Sequence, residues 1–175
     1  MGINNKYFAG IGSRSCPPML KEWYNLSKTL VDQNYILRSG GADGADTWWE
    51  TLYDTHKGKK EIYLPWENFN NNKSQLFEIT DDAINLAQKF HPNWHMLSVA
   101  GQHLMARNGF QVLGKDLATP VSMVICWTPE GRETGGTAQS IRIASHYNIP
   151  VFNLALEQDK NSLDSFLNLE ELFGK

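Results

Sequence analysis

The sequence predicts an α/β fold, a Rossmann-like and mainly parallel sheet with helices on both faces, in a single domain covering residues 1–175. Three observations predict it. Short apolar runs alternate with amphipathic segments, the pattern of βαβ units. Three of the strand candidates end in small-residue turns, Gly12-Ser13-Arg14, Ser39 to Asp46 and Gly135-Gly136-Thr137. No internal repeat or linker interrupts the 175 residues, a length that buries roughly 70% of the unfolded surface on folding.

The elements follow in order. The first strand is Tyr7 to Ile11. Pro17 and Pro18 suit the first turn of a helix, where a missing N–H costs nothing, and Met19, Trp23, Leu26 and Leu30 then share one apolar face. A second strand, Tyr35 to Arg38, runs into Ser39-Gly40-Gly41-Ala42-Asp43-Gly44-Ala45-Asp46, and a helix carrying Trp48, Trp49 and Leu52 stops near Gly58. Glu61 to Leu64 reads as a third strand closed by Pro65 and Trp66, followed by a loop of asparagines at 68, 70, 71 and 72. Ile79 to Phe90 forms a helix with Thr80 near its start. The spacing predicts another helix over Met96 to Arg107, ended by Asn108-Gly109 as a left-handed pair. Val121 to Trp127, the most hydrophobic strand, is expected at the sheet centre. A helix with Ile141 and Ala144, a strand from Pro150 to Leu154 and a helix from Asn161 to Phe173 complete the chain.

Composition narrows the function. Sixteen Lys and Arg against 19 Asp and Glu give a net charge of -3. Nucleic-acid binding through the backbone draws on a basic face, so a nucleic acid partner is disfavoured, with a small basic patch left open. Cys16 and Cys126 alone frame no disulfide network and no zinc cluster, and His91, His95, His103 and His146 lack metal spacing; no metal and no cofactor are expected. The start has no apolar leader, Lys6 stands where a myristoylation signal needs Ser or Thr, and no run reaches transmembrane length. A cytoplasmic location without a membrane partner is the expectation.

The chemistry is concentrated in the three turns. Ligands of open parallel sheets sit at the carboxyl ends of strands, and helix N-termini offer unpaired N–H groups with partial positive charge. Glycine lets the backbone approach phosphate oxygens closely. Phosphates are expected on Gly12, Ser13 and Arg14, on Ser39, Gly40, Gly41, Ala42 and Asp43, and on Gly135, Gly136 and Thr137, with Arg107 and Asn108 beside them. Asp43 and Asp46 bind ribose hydroxyls or cap the next helix. Trp66 or Trp127 offers a stacking face for a base, whereas Trp23 and Trp49 read as core. No Gly-x-x-x-x-Gly-Lys-Ser/Thr sequence is present, and Gly40, Gly41 and Gly44 do not match Gly-x-Gly-x-x-Gly.

Ile11-Gly12-Ser13-Arg14 and Arg38-Ser39-Gly40-Gly41-Ala42-Asp43-Gly44-Ala45-Asp46 resemble the glycine-rich core of the DNA-processing protein A (DprA) family. Met105-Ala106-Arg107-Asn108, the strand ending at Trp127, and Gly135-Gly136-Thr137-Ala138 with Ala144 are similar to later family elements in the same order. The wider group is the SLOG superfamily, which includes the LOG-type phosphoribohydrolases. The chain looks most like short, stand-alone DprA-like members of bacteriophages and bacteria. The resemblance implies a Rossmann-like fold, nucleotide-type ligands and frequent homo-oligomers. DprA proteins bind single-stranded DNA and usually carry accessory domains, whereas this sequence ends soon after its α/β core. LOG-type enzymes cleave an N-glycosidic bond with a glutamate of Pro-Gly-Gly-x-Gly-Thr-x-x-Glu, and Ser140 stands at that position here. The expected function is therefore binding of a nucleotide or nucleotide-derived small molecule, such as a signalling nucleotide captured by a phage protein. One alternative is a nucleotide N-glycosidase using Glu130, Glu133 or Asp46; the other is single-stranded DNA binding.

Overall fold

The computed structural model describes residues 4–18 and 21–173, with side chains considered to residue 168. It contains one five-stranded sheet, β1 (Lys6–Gly12), β2 (Tyr35–Ser39), β3 (Lys60–Ile62), β4 (Met123–Trp127) and β5 (Val151–Asn153). Every pairing is parallel, in the order β3-β2-β1-β4-β5. Among the described residues the α-helices are α1 (Lys21–Asp32), α2 (Ala45–Thr55), α3 (Asp81–Phe90), α4 (Val99–Leu113), α5 (Gly135–His146) and α6 (Glu157–Phe173).

Side chains alternate across a strand, and the alternation builds two cores. Phe8, Met123 and Ile125 face Trp23 and Leu30 of α1, Trp49 and Leu52 of α2, and Leu163 and Leu167 of α6. Ala9, Ile11, Val124 and Cys126 face Val112 and Leu113 of α4 and Ile141 and Ala144 of α5. Helices thus cover both faces of the sheet, as a Rossmann-like fold requires. Beyond α4, Ala83 and Ala87 of α3 pack on Ala106 and Phe110. Thr80 caps α3, its hydroxyl accepting the Ala83 amide at 3.2 Å.

The structure departs from the sequence expectation in four places. The middle of the sheet is β1, with β4 at its side. Helix α1 begins at Lys21, so Pro17 and Pro18 precede it, and Met19 lies outside the described residues. Helix α6 starts four residues before Asn161, at Glu157. Most consequentially, α4 runs through Asn108-Gly109 to Leu113 and ends at Gly114, whose φ of 82° supplies the left-handed turn. Gly109 serves packing instead: a Cβ there would lie 3.0 Å from Leu86 of α3. Among the described residues no helix is long and apolar enough to cross a membrane, and no group of three His, Cys, Asp or Glu could hold a metal.

Candidate functional site

The chain leaves β1 toward β2 on one side and leaves β4 toward β5 on the other, so β1 and β4 flank the topological switch point where open α/β sheets form their crevice. A cavity of about 350 Å³ lies there, between α4 and α5 and against all three small-residue turns. Gly12, Ser13, Arg14, Ala42, Asp46, Arg107, Asn108, Gly135, Gly136 and Thr137, all expected from the sequence, line it.

The first two turns clasp each other. The Ser13 amide donates to the Trp127 carbonyl at 2.8 Å, and the Ser13 carbonyl accepts from Ala45, the first residue of α2, at 3.2 Å. Gly44 makes this approach possible: its φ is 77°, and a Cβ would stand 2.4 Å from the Ser13 oxygen. The second turn wraps its own carboxylate. Asp46 accepts from the Ala42 amide at 3.3 Å. The expected phosphate contact at Ala42 thus meets an amide that Asp46 already engages. Ser39 is buried and donates to the Gly10 carbonyl at 2.6 Å. Asn70 donates to both the Gly41 carbonyl and the Asp43 carboxylate, at 3.1 and 3.0 Å, so that end of the turn is tied to the asparagine loop.

The third turn is different. Thr134 provides no side-chain cap for α5. The amides of Gly135, Gly136 and Thr137 have no acceptor among the described residues, and all three residues face the cavity. Gly135 holds φ at 63° with nothing within 4 Å of its Cβ position, leaving the helix start open. Asn108 fixes α5 against α4, donating to the Gly136 carbonyl at 3.0 Å while accepting from the Arg107 Nε at 3.1 Å.

Two buried charges belong to the wall. Arg107 is 5% exposed and donates to the carbonyls of Gly40 and Tyr63. Burial lowers its pKa to about 10, against the pull of Asp46, so it stays charged at neutral pH. Burial pushes the Asp46 carboxyl up to about 6, opposed by Arg107 and the amides of Ala42 and Gly40. The second turn holds both members of the pair, the Ala42 N–H donating to the carboxylate and the Gly40 carbonyl accepting from the guanidinium. Arg14 is exposed at the cavity mouth. Lining charges therefore total two cationic groups against one carboxylate.

Neither expected stacking residue reaches this wall. Trp66 is exposed and meets Phe69 edge-on at 5.2 Å. Trp127 lines a separate cavity with Trp23, Pro17 and Pro18. The apolar wall consists of Ile11, Leu104, Met105 and Pro129. Glu130 pairs with Arg132 in solvent, neither it nor Glu133 lines the cavity, and Ser140 is buried on the wall. Asp46 is the one carboxylate on the lining among the described residues. Sequence reasoning missed Leu104, Met105 and Gln111; a helix carried on to Gly114 places Leu104, Arg107, Asn108 and Gln111 on one face at spacings of three, four and seven.

Fold and site together define a Rossmann-like α/β protein with a crevice at its switch point, lined by the open start of α5 and by Arg14 and Arg107. No family model matches the chain, and no curated protein does. Two solved structures share the fold. One is DNA processing protein A from Helicobacter pylori, studied for its single-stranded DNA binding mode, with a TM-score of 0.56 and 19% identity over 94% of this chain and 80% of that one. The other is DprA from Streptococcus pneumoniae, with a TM-score of 0.50 and 18% identity over 91% of this chain and 56% of that one. The likeness is one of fold, and this chain spans little more than half of the pneumococcal protein.

Proposed function

We propose that the crevice holds one nucleotide unit by its phosphate, and that single-stranded DNA is the ligand presenting it. The observation that carries this reading is the open start of α5, three amides without internal acceptors facing a cavity with Arg14 at its mouth. Hydrogen bonds to a charged group contribute about 1.5–3 kcal/mol each, and the helix dipole adds up to about 1 kcal/mol. Three such bonds roughly offset the 4–15 kcal/mol cost of association, so a lone mononucleotide binds weakly. A strand adds contacts outside the crevice, and the single-stranded DNA binding of the Helicobacter protein supports it as the ligand.

A free nucleotide is the competing ligand, favoured by the net charge of -3 and by a cavity of about 350 Å³, the scale of a small-molecule pocket. Fluorescence anisotropy of a labelled oligothymidylate, with duplex and mononucleotide as competitors, tests the assignment. The expected outcome is binding of the strand with a shallow salt slope, about -0.7 for each phosphate neutralised. Arg14→Ala weakens it about tenfold, the loss of one charge-assisted bond, without changing the unfolding midpoint. Full competition by mononucleotide moves the assignment to the free ligand. No retention of strand or nucleotide at low salt overturns both.

A further inference from the structure

The crevice contains a donor that neither the fold nor the three turns call for. Gln111 is 2% exposed and lies on the cavity wall. Its Oε1 accepts a long hydrogen bond of 3.5 Å from Ser140, but its Nε2 has no acceptor among the described residues. A primary amide on a cavity wall that meets no acceptor of its own chain keeps its N–H groups for whatever occupies the cavity. Nearby, Thr137 is 8% exposed and its hydroxyl also has no partner among the described residues. Ser140 stands one helical turn after Gly136 and Thr137, so the Gln111 amide bridges the cavity wall from α5, where Oε1 meets Ser140, to Gly40, against which Nε2 lies.

From this arrangement we infer that the crevice selects a terminal phosphate monoester over an internal phosphodiester, with Gln111 as the specificity-determining donor. The inference rests on the phosphate assignment above. A diester offers two non-bridging oxygens and one charge, and both its esters must leave the site. A monoester offers three such oxygens and a charge between -1.5 and -2 at neutral pH. The α5 amides and Arg14 suffice for two oxygens; Gln111 and the Thr137 hydroxyl provide for the third. At that depth the wall is made of Arg107, Gln111 and Ser140, all at least 95% buried. An oxygen that meets these side chains is taken as a terminal one, because a diester would have to seat a second sugar against them.

Titration calorimetry of the full chain with paired ligands tests this. The pairs are 5′-phosphorylated against 5′-hydroxyl oligothymidylate, the same strand with a 3′-phosphate, and thymidine monophosphate against a thymidine dinucleotide whose one phosphate is internal. The terminal phosphate is expected to tighten binding at least about tenfold, the weight of one further charge-assisted bond. The favoured member tells a strand end from a free nucleotide. Gln111→Leu narrows the ratio within each pair, and Gln111→Glu inverts it by setting a carboxylate against the phosphate. Equal affinities within every pair for the wild-type chain overturn the inference and leave the crevice assignment standing. Absence of binding in all of them overturns the crevice assignment as well. The wild-type comparison decides the matter even if the variants do not fold.

Discussion

Replacing Asp46 by asparagine alters one proton-binding site in the core and tests the electrostatics of the crevice. The carboxyl is 4% exposed, and burial raises its pKa from 3.8 to about 6. An acid with a raised folded pKa stabilises the fold fully below its unfolded value and loses that contribution as pH rises through the folded one. The window is therefore about pH 3.8 to 6. Asparagine does not titrate and behaves as the neutral acid at every pH. Each pKa unit corresponds to 1.36 kcal/mol, and the two titration curves separate by about 2 kcal/mol between pH 4 and 7. Urea unfolding of both proteins across that range is the assay. The stability of Asp46→Asn minus that of the wild type is expected to rise by about 2 kcal/mol from pH 4 to 7, the remaining titrating groups cancelling in the difference. A constant difference, or one that falls with pH, refutes the reasoning: the carboxylate would then be as well solvated by its amides and Arg107 as by water.

Other expectations follow from the same neighbourhood. Gly40→Ala places a Cβ 2.2 Å from the Gln111 Nε2 and 2.4 Å from the Arg107 Nη1, so both buried side chains must move and the arginine loses its carbonyl partners. A loss of about 2–4 kcal/mol in denaturant unfolding is expected, and an unchanged midpoint would mean the two side chains are not fixed. Cys16 and Cys126 are buried in different cores on opposite faces of the sheet, and burial pushes both thiols up to about 12. They are expected to resist a thiol-specific chromophoric reagent at pH 8 until the protein unfolds; rapid labelling of the native chain contradicts that.

Local chemistry made the architecture legible, and tertiary contacts hid part of the site. Strand and helix periods appear in single segments, so β1, β2, β4 and the helices behind them could be read from spacing alone. The three turns were legible for the same reason, since glycines clustered at strand ends need no knowledge of the rest of the chain. Asn108-Gly109 shows the limit. The pair has the local chemistry of a helix end, yet the contact of Gly109 with Leu86 carries α4 a further turn, and only then does Gln111 share a wall with Arg107. The amide of Ala42 was equally opaque, because its partner Asp46 becomes available only when α2 folds back over the turn. Trp127 was a different matter. It has the same parity as Met123 and Ile125, which face α1, α2 and α6, so strand alternation alone placed its ring on the face opposite α4 and α5.

The acidic composition and the proposed phosphate site are compatible because they act over different distances. At physiological salt, charges separated by more than about 8 Å in solvent are largely screened from one another. A phosphate at the α5 start therefore senses Arg14, Arg107, Asp46 and the partial positive charge of the helix end far more than the 19 acidic residues of the whole chain. Among the described residues that line the cavity, two arginines and one carboxylate set the local field, so the crevice itself suits one phosphate. A ligand anchored by one phosphate is matched to that distribution, and its affinity depends on salt with the shallow slope of one or two neutralised charges.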